Sequence, residues 1–187
     1  IMLDGVKFEA KNEKQALSQG IVYVSEDRKK EGLVLGMSVA KNVTISSLGR
    51  FSKGQLINKK QEKESVLHYK DAMRIKTPSL DQSVKLLSGG NQQKVSIAKS
   101  LSTQPKILIM DEPTRGVDVG AKKEIYELMN EFKRNGLGIL MISSEIPELL
   151  GVCDRIMVMS EGKIAGVLSR DKANSNEIMR LAIGAGV

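Results

Sequence analysis

The 187-residue sequence is poor in the residue types on which several function classes depend. It has one cysteine, Cys153, one histidine, His68, no tryptophan, and only three tyrosines and three phenylalanines. A single thiol excludes an internal disulfide framework and a zinc site built from cysteines, and an unpaired Cys ordinarily packs as a small hydrophobe, so Cys153 is expected in a core. His68 stands in a lysine-rich segment that reads as a surface helix, and a structural or solvent role is expected for it over metal ligation. The shortage of aromatic rings removes the platforms on which single-stranded bases stack. The basic residues at 28–30, 59–63 and 94–106 are interspersed with acidic ones, so the net charge of +7 reads as a solvated surface and no nucleic-acid partner is expected. No apolar run approaches the roughly 20 residues of a membrane helix. Also missing is G-x-x-x-x-G-K-[ST], the loop whose backbone N–H groups and lysine cradle phosphates.

What is present is a globular composition, with 41% hydrophobic and 27% charged residues, enough to bury a core within one domain. Ile21-Val22-Tyr23-Val24 follows Gly20 and reads as a buried strand. The polar run from Ser25 to Gly32 reads as a loop. Ser38 is a plausible cap for a short helix reaching Leu48, and a longer charged helix is predicted from Asn58 to about Ile75, with Val66, Tyr69 and Met73 on one face. No clear strand is expected over residues 37–86. Beyond them the rhythm changes: strands are predicted at Ile107–Met110, Ile139–Ile142, Arg155–Met159 and Ile164–Leu168. Between the first pair, Ile125, Leu128, Met129 and Phe132 follow helical spacing before Gly136. Strands alternating with amphipathic helices imply an α/β fold with a parallel sheet covered by helices, into which a helical subdomain is inserted.

Two stretches carry chemistry. Ser88-Gly89-Gly90 stands where a loop passes into a helix, since Val95, Ala98 and Leu101 form an apolar stripe directly afterwards. Unpaired N–H groups and the positive end of a helix dipole therefore gather at Ser88, where the glycines let an anion approach. Asp111-Glu112 follows the apolar run Ile107-Leu108-Ile109-Met110. Both carboxylates thus lie at the C-terminal edge of a strand, where open α/β sheets bind ligands. An acid in that place suits a hard cation such as Mg²⁺, and a neighbouring Glu suits a water to be oriented or deprotonated.

These residues resemble the nucleotide-binding domain of ATP-binding cassette (ABC) transporters. Leu87-Ser88-Gly89-Gly90-Asn91-Gln92-Gln93 is similar to the signature motif, Ile107 to Glu112 to the Walker B strand with its glutamate, and Arg115-Gly116-Val117-Asp118 to the D-loop. Ser25-Glu26-Asp27-Arg28, the run 32–39 and the run 111–122 resemble more narrowly the C-terminal cassette of ribose-type monosaccharide importer ATPases. The resemblance implies a P-loop NTPase-like core at 1–36 and 104–187, beginning just after the Walker A segment, and a helical subdomain at 37–103. It implies that Ser88, Gly89, Gly90, Asn91 and Gln92 serve ATP held by a partner cassette of the same polypeptide, that Asp111 holds Mg²⁺, that Glu112 is catalytic, and that Asp118 of the D-loop is among the nucleotide-binding residues. Glu26 stands at the Q-loop position, where a glutamine is usual, and Ser144 at the position of the switch histidine.

By the same resemblance the full-length parent hydrolyses ATP at the cytoplasmic face of a bacterial membrane, with a permease and an external sugar-binding protein as partners. The chain itself is expected to turn over negligible ATP. Two other readings stay open: a non-catalytic cassette that docks on a permease through its helical subdomain and the Glu26 loop, and a related ATPase acting on nucleic acid or the ribosome.

Overall fold

The computed structural model describes residues 2–54 and 56–184, so Ile1 and residues 185–187 of the expected core and Gln55 of the expected helical subdomain lie outside the described residues. The chain groups into two compact units, Ile1–Ile142 and Ser143–Val187. The first begins with a short ladder of β1 (Met2–Leu3) and β2 (Val6–Lys7), then α1 (Glu13–Ser18), and continues into β3 (Ile21–Val24). Strand β3 forms within the limits expected of it, but only Val24 is buried and Tyr23 is 52% exposed. The reason is position: β3 is an edge of the described three-stranded sheet.

The expected helical stretch follows, and each helix starts on a side chain suited to cap it. Ser38 accepts from the Lys41 N–H to open α2 (Val39–Thr44). A two-residue ladder then pairs β4 (Ser52–Lys53) with β5 (Leu56–Ile57), a small hairpin where no strand is expected from the pattern. It is too short to show a periodic signal. Asn58 accepts from Gln61 to open α3 (Lys59–Ala72), and Ser88 opens α4 (Gly89–Leu101). Val39 and Val43 of α2, Val66 of α3 and Val95, Ile97 and Ala98 of α4 are all 1% exposed or less, a shared core that one polar side chain reinforces. Asn42, fully buried, accepts from the Val34 N–H and donates to the carbonyls of Val34 and Ser38.

The chain returns to the sheet as β6 (Ile107–Asp111), continues as α5 (Val119–Arg134) and closes the unit with β7 (Gly138–Ile142). Strand β6 lies between β3 and β7 and is parallel to both, pairing Ile21 with Ile107 and Asp111 with Ile142. Its residues alternate, with Leu108 and Met110 fully buried, and Ile125, Leu128 and Met129 of α5 are buried as the spacing predicts. The second unit holds α6 (Ile146–Val152), β8 (Arg155–Ser160), β9 (Lys163–Ser169) and α7 (Ser175–Ala182). Here the parallel pattern stops: β8 and β9 pair antiparallel and, among the described residues, only with each other. Their tight connection at Glu161-Gly162, both at positive φ, is a hairpin turn and is too short for a parallel crossover. Cys153 is half-buried and packs, as expected, against a small core of Ile156, Val158 and Ile178.

Candidate functional site

Helix α4 is anchored more deeply than a surface helix would be. Gln92, Gln93 and Lys94 are buried along with its apolar stripe. Ser88 itself is exposed, and its Oγ accepts from the side-chain amide of Asn91 at 3.0 Å and from the Asn91 backbone N–H at 3.4 Å. The oxygen's acceptor side is therefore occupied by the cap, which leaves the O–H proton to donate outward. Asn91 in turn accepts from the Lys76 N–H at 2.8 Å, tying the start of α4 to the end of the α3 segment.

The two glycines have a packing reason in this fold. A Cβ on Gly90 would lie 2.6 Å from the Cβ of Ala121, and one on Gly89 would meet the Arg28 guanidinium at 3.0 Å and the Gly116 carbonyl at 3.1 Å. Glycine thus lets the start of α4 lie directly on the start of α5. Asp118 caps α5 by accepting from the Ala121 N–H at 3.0 Å. Ser88, Gly90, Asn91 and Asp118 consequently line one cleft of about 360 Å³, shared with Lys76 and Lys94 and with Glu124 among others. Lys94 pairs with Glu124, whose carboxyl is held below the usual range chiefly by that hydrogen bond.

Two sequence-predicted residues take other places. Gln92 does not line the cleft: its side-chain amide donates to the carbonyls of Val84 and Leu87, and its Oε1 is buried with no hydrogen-bond partner among the described residues. Glu26 forms an ion pair with Arg115, in the loop after β6. Residues 28–32, expected as a plain loop, wind into a single π-helical turn opened by Asp27, which accepts from Lys29 and Lys30.

Arg28, which closes the run 25–28 but to which the sequence assigns no role, lies buried at the centre of these contacts. Its Nη1 donates to the Arg115 carbonyl at 2.8 Å and its Nη2 to the Gly116 carbonyl at 3.2 Å. Burial lowers its pKa, as expected for a cation removed from water. A charged loop normally reads as solvated, so its burial leaves no mark in the sequence.

At the other edge, Tyr23 of β3 donates from its hydroxyl to Asp111 Oδ2 at 2.7 Å. That hydrogen bond, followed by burial and the carboxylate's charge, pushes the phenol up to about 12. Glu112 follows with φ +43°, a left-handed conformation that costs an ordinary residue about 1 kcal/mol. Its N–H donates to the Ile142 carbonyl at 2.9 Å, which pins the backbone as it leaves the sheet. Among the described residues no cluster of three or more acidic, His or Cys side chains is placed to hold a metal. A single Asp nevertheless suits Mg²⁺, which keeps several waters and substrate oxygens and uses one or two carboxylates. His68 lies exposed on α3 with its ring edge against Tyr69. Ser144 belongs to the second unit, in an exposed bend beside Ser143, whose Oγ donates to Glu148 at 3.0 Å.

Comparisons of sequence and fold with known proteins agree with the α/β architecture. Residues 1–115 match the ABC transporter family. The ribose import ATP-binding protein RbsA of Clostridium perfringens strain SM101 is 57% identical over 170 residues, which is 90% of this chain and 34% of that protein; the protein of the same name from strain 13 matches equally. The chain thus spans about a third of the length of the curated relatives it matches. Among solved structures, an ATP-binding cassette of an ABC transporter in its ADP conformation superposes with a TM-score of 0.77 at 22% identity, over 96% of this chain and 75% of that one. CbiO1 from Clostridium perfringens gives 0.74 at 23% identity, over 100% of this chain and 72% of that one. With an acidic strand end on a parallel sheet and a helix that starts on Ser-Gly-Gly, the chain belongs to the ABC transporter family and forms part of its ATPase domain.

Proposed function

We propose that the chain is part of an ATP-binding subunit that energises import of a monosaccharide, ribose or a close analogue, and that it lends a signature half-site to an ATP site completed by a second cassette. The observation that carries this reading is the cleft in which Ser88, Gly90 and Asn91 meet Asp118. The 57% identity to ribose import proteins supports the choice of cargo. ATP supplies the phosphoryl group whose hydrolysis drives transport, and Mg²⁺ neutralises its charge. Toward that substrate the Ser88 hydroxyl and the first N–H groups of α4 donate to phosphate oxygens held by the partner cassette. Asp111 is the cation ligand and Glu112 orients or deprotonates water, while Asp118 keeps α5 at the cassette boundary. Ser144 fills the place of the switch histidine. The helical stretch 37–103 is a subdomain on the core 1–36 and 104–187, and with the Glu26 loop it faces a membrane permease fed by an external sugar-binding protein. The protein works at the cytoplasmic face of the membrane.

The test uses the full-length parent with its permease. Ser88→Arg fills the cleft mouth and is expected to lower both sugar uptake and ATP hydrolysis by about 10²-fold, as loss of a phosphate-directed donor does. If uptake and hydrolysis both survive, the signature is a relic and the docking reading replaces this one.

A further inference from the structure

Arg28 is a buried cation that forms no direct ion pair among the described residues and feels a carboxylate only through the charge of its neighbour Asp27, spending two of its donors on backbone carbonyls and leaving Nε without any acceptor. A side chain needed only to fill space would do so without desolvating a charge, which is costly without a direct ion pair. What the guanidinium touches gives it a purpose. The carbonyls it holds belong to Arg115 and Gly116, at the left-handed turn, φ +65° at Gly116, that leads into the Asp118 cap. Its Nη2 also lies against Gly89, close enough that a Cβ there would sit 3.0 Å away. One planar fork therefore spans the loop after β3, the loop after β6 and the first residue of α4. Glu26, two residues earlier in the same loop, grips Arg115 from its side-chain end.

We propose that Arg28 is a positioning residue that fixes Ser88 and Asp118 as one rigid unit, so that a shift in the Glu26 loop moves both phosphate-facing elements together. The inference rests on the signature reading given above. Rigid geometry fixes both partners because a fork with two parallel donors resists rotation, which a lysine's single ammonium does not. Misplacing reacting groups by small distances is expensive in rate.

The experiment is steady-state ATP hydrolysis by the full-length parent carrying Arg28→Lys, with amide hydrogen exchange measured on the same preparation and Ser88→Arg run beside it. The expected result is a fall of about tenfold in kcat/KM with a clear rise in KM for ATP. Exchange should quicken at 88–91 and at 115–118, and stay unchanged in the parallel strands. Unchanged kinetics overturn the inference. So does a fall in kcat at constant KM with faster exchange throughout the unit, because that is the mark of a folding role alone. If Ser88→Arg is silent too, the signature reading itself falls; if only Arg28→Lys is silent, the positioning role falls and the signature stands.

Discussion

The start of α4 and the end of β6, the two stretches proposed to carry chemistry, are built to different standards. The start of α4 is fixed by a capped helix, buried Gln92, Gln93 and Lys94, an Asn91 bond to the Lys76 backbone and a glycine pressed on α5. The carboxylate of Asp111 has one hydroxyl from an exposed tyrosine on an edge strand, and Leu140 and Ile142 on the neighbouring strand are 50% and 46% exposed. A hydroxyl fixed by its own surroundings keeps its geometry whatever lies opposite. A carboxylate at the rim of a half-covered sheet draws its rigidity from the strand behind it.

That contrast breaks most visibly through the strand. Met110→Ala removes a fully buried side chain one residue before Asp111 and is expected to cost about 2–5 kcal/mol in urea unfolding. A cost near zero would mean that the acidic end is not anchored from the core. Next comes Gly90→Ala, which forces two helices apart and should cost about 1–3 kcal/mol; a neutral outcome in the same unfolding experiment would remove the close packing of α4 on α5. Asp118→Ala deletes the cap of α5 and should cost about 1 kcal/mol, with Asp118→Asn recovering most of it, since the amide oxygen still accepts from the Ala121 N–H.

The smallest effect sharpens the comparison at the acidic end. Tyr23 has its folded pKa raised to about 12 from 10.0, so its stabilising contribution is complete below pH 10 and is lost as pH climbs through 12, where the unfolded phenol has already ionised. In Asp111→Asn, ultraviolet titration should show one tyrosine returning toward its ordinary midpoint. No movement would mean that Tyr23 does not hold Asp111 in solution.

Much of this is legible from residues alone. Ser38, Asn58 and Ser88 announce helices that begin where they stand, and the Ile107–Met110 run with the Ile125, Leu128, Met129 stripe marks the parallel core. Most of the misses at the site share one cause, contacts between residues far apart in sequence. Arg28 meets residues 115 and 116, Gly90 meets Ala121, and Tyr23 meets Asp111, and no local pattern records any of these. The left-handed Glu112 is of the same kind, since Glu carries no preference for that conformation. The π-helical turn at Arg28–Gly32 differs: its Asp27 cap is in plain view, but the five residues after it carry no helical periodicity.

The contact of Gly90 with Ala121 makes the two positions a single volume shared between two helices. Size can pass from one to the other but cannot be added. The damage done by Gly90→Ala would be repaired by Ala121→Gly, because the obstructing methyl is then gone and the next atom, Val117 Cγ1, stands at an ordinary 3.7 Å. The exchange would leave a glycine in the first turn of α5, at a cost of up to about 1 kcal/mol. In any library of variants the pair would therefore behave as a suppressor couple, each change harmful alone and tolerated together, at two sites thirty-one positions apart in the chain.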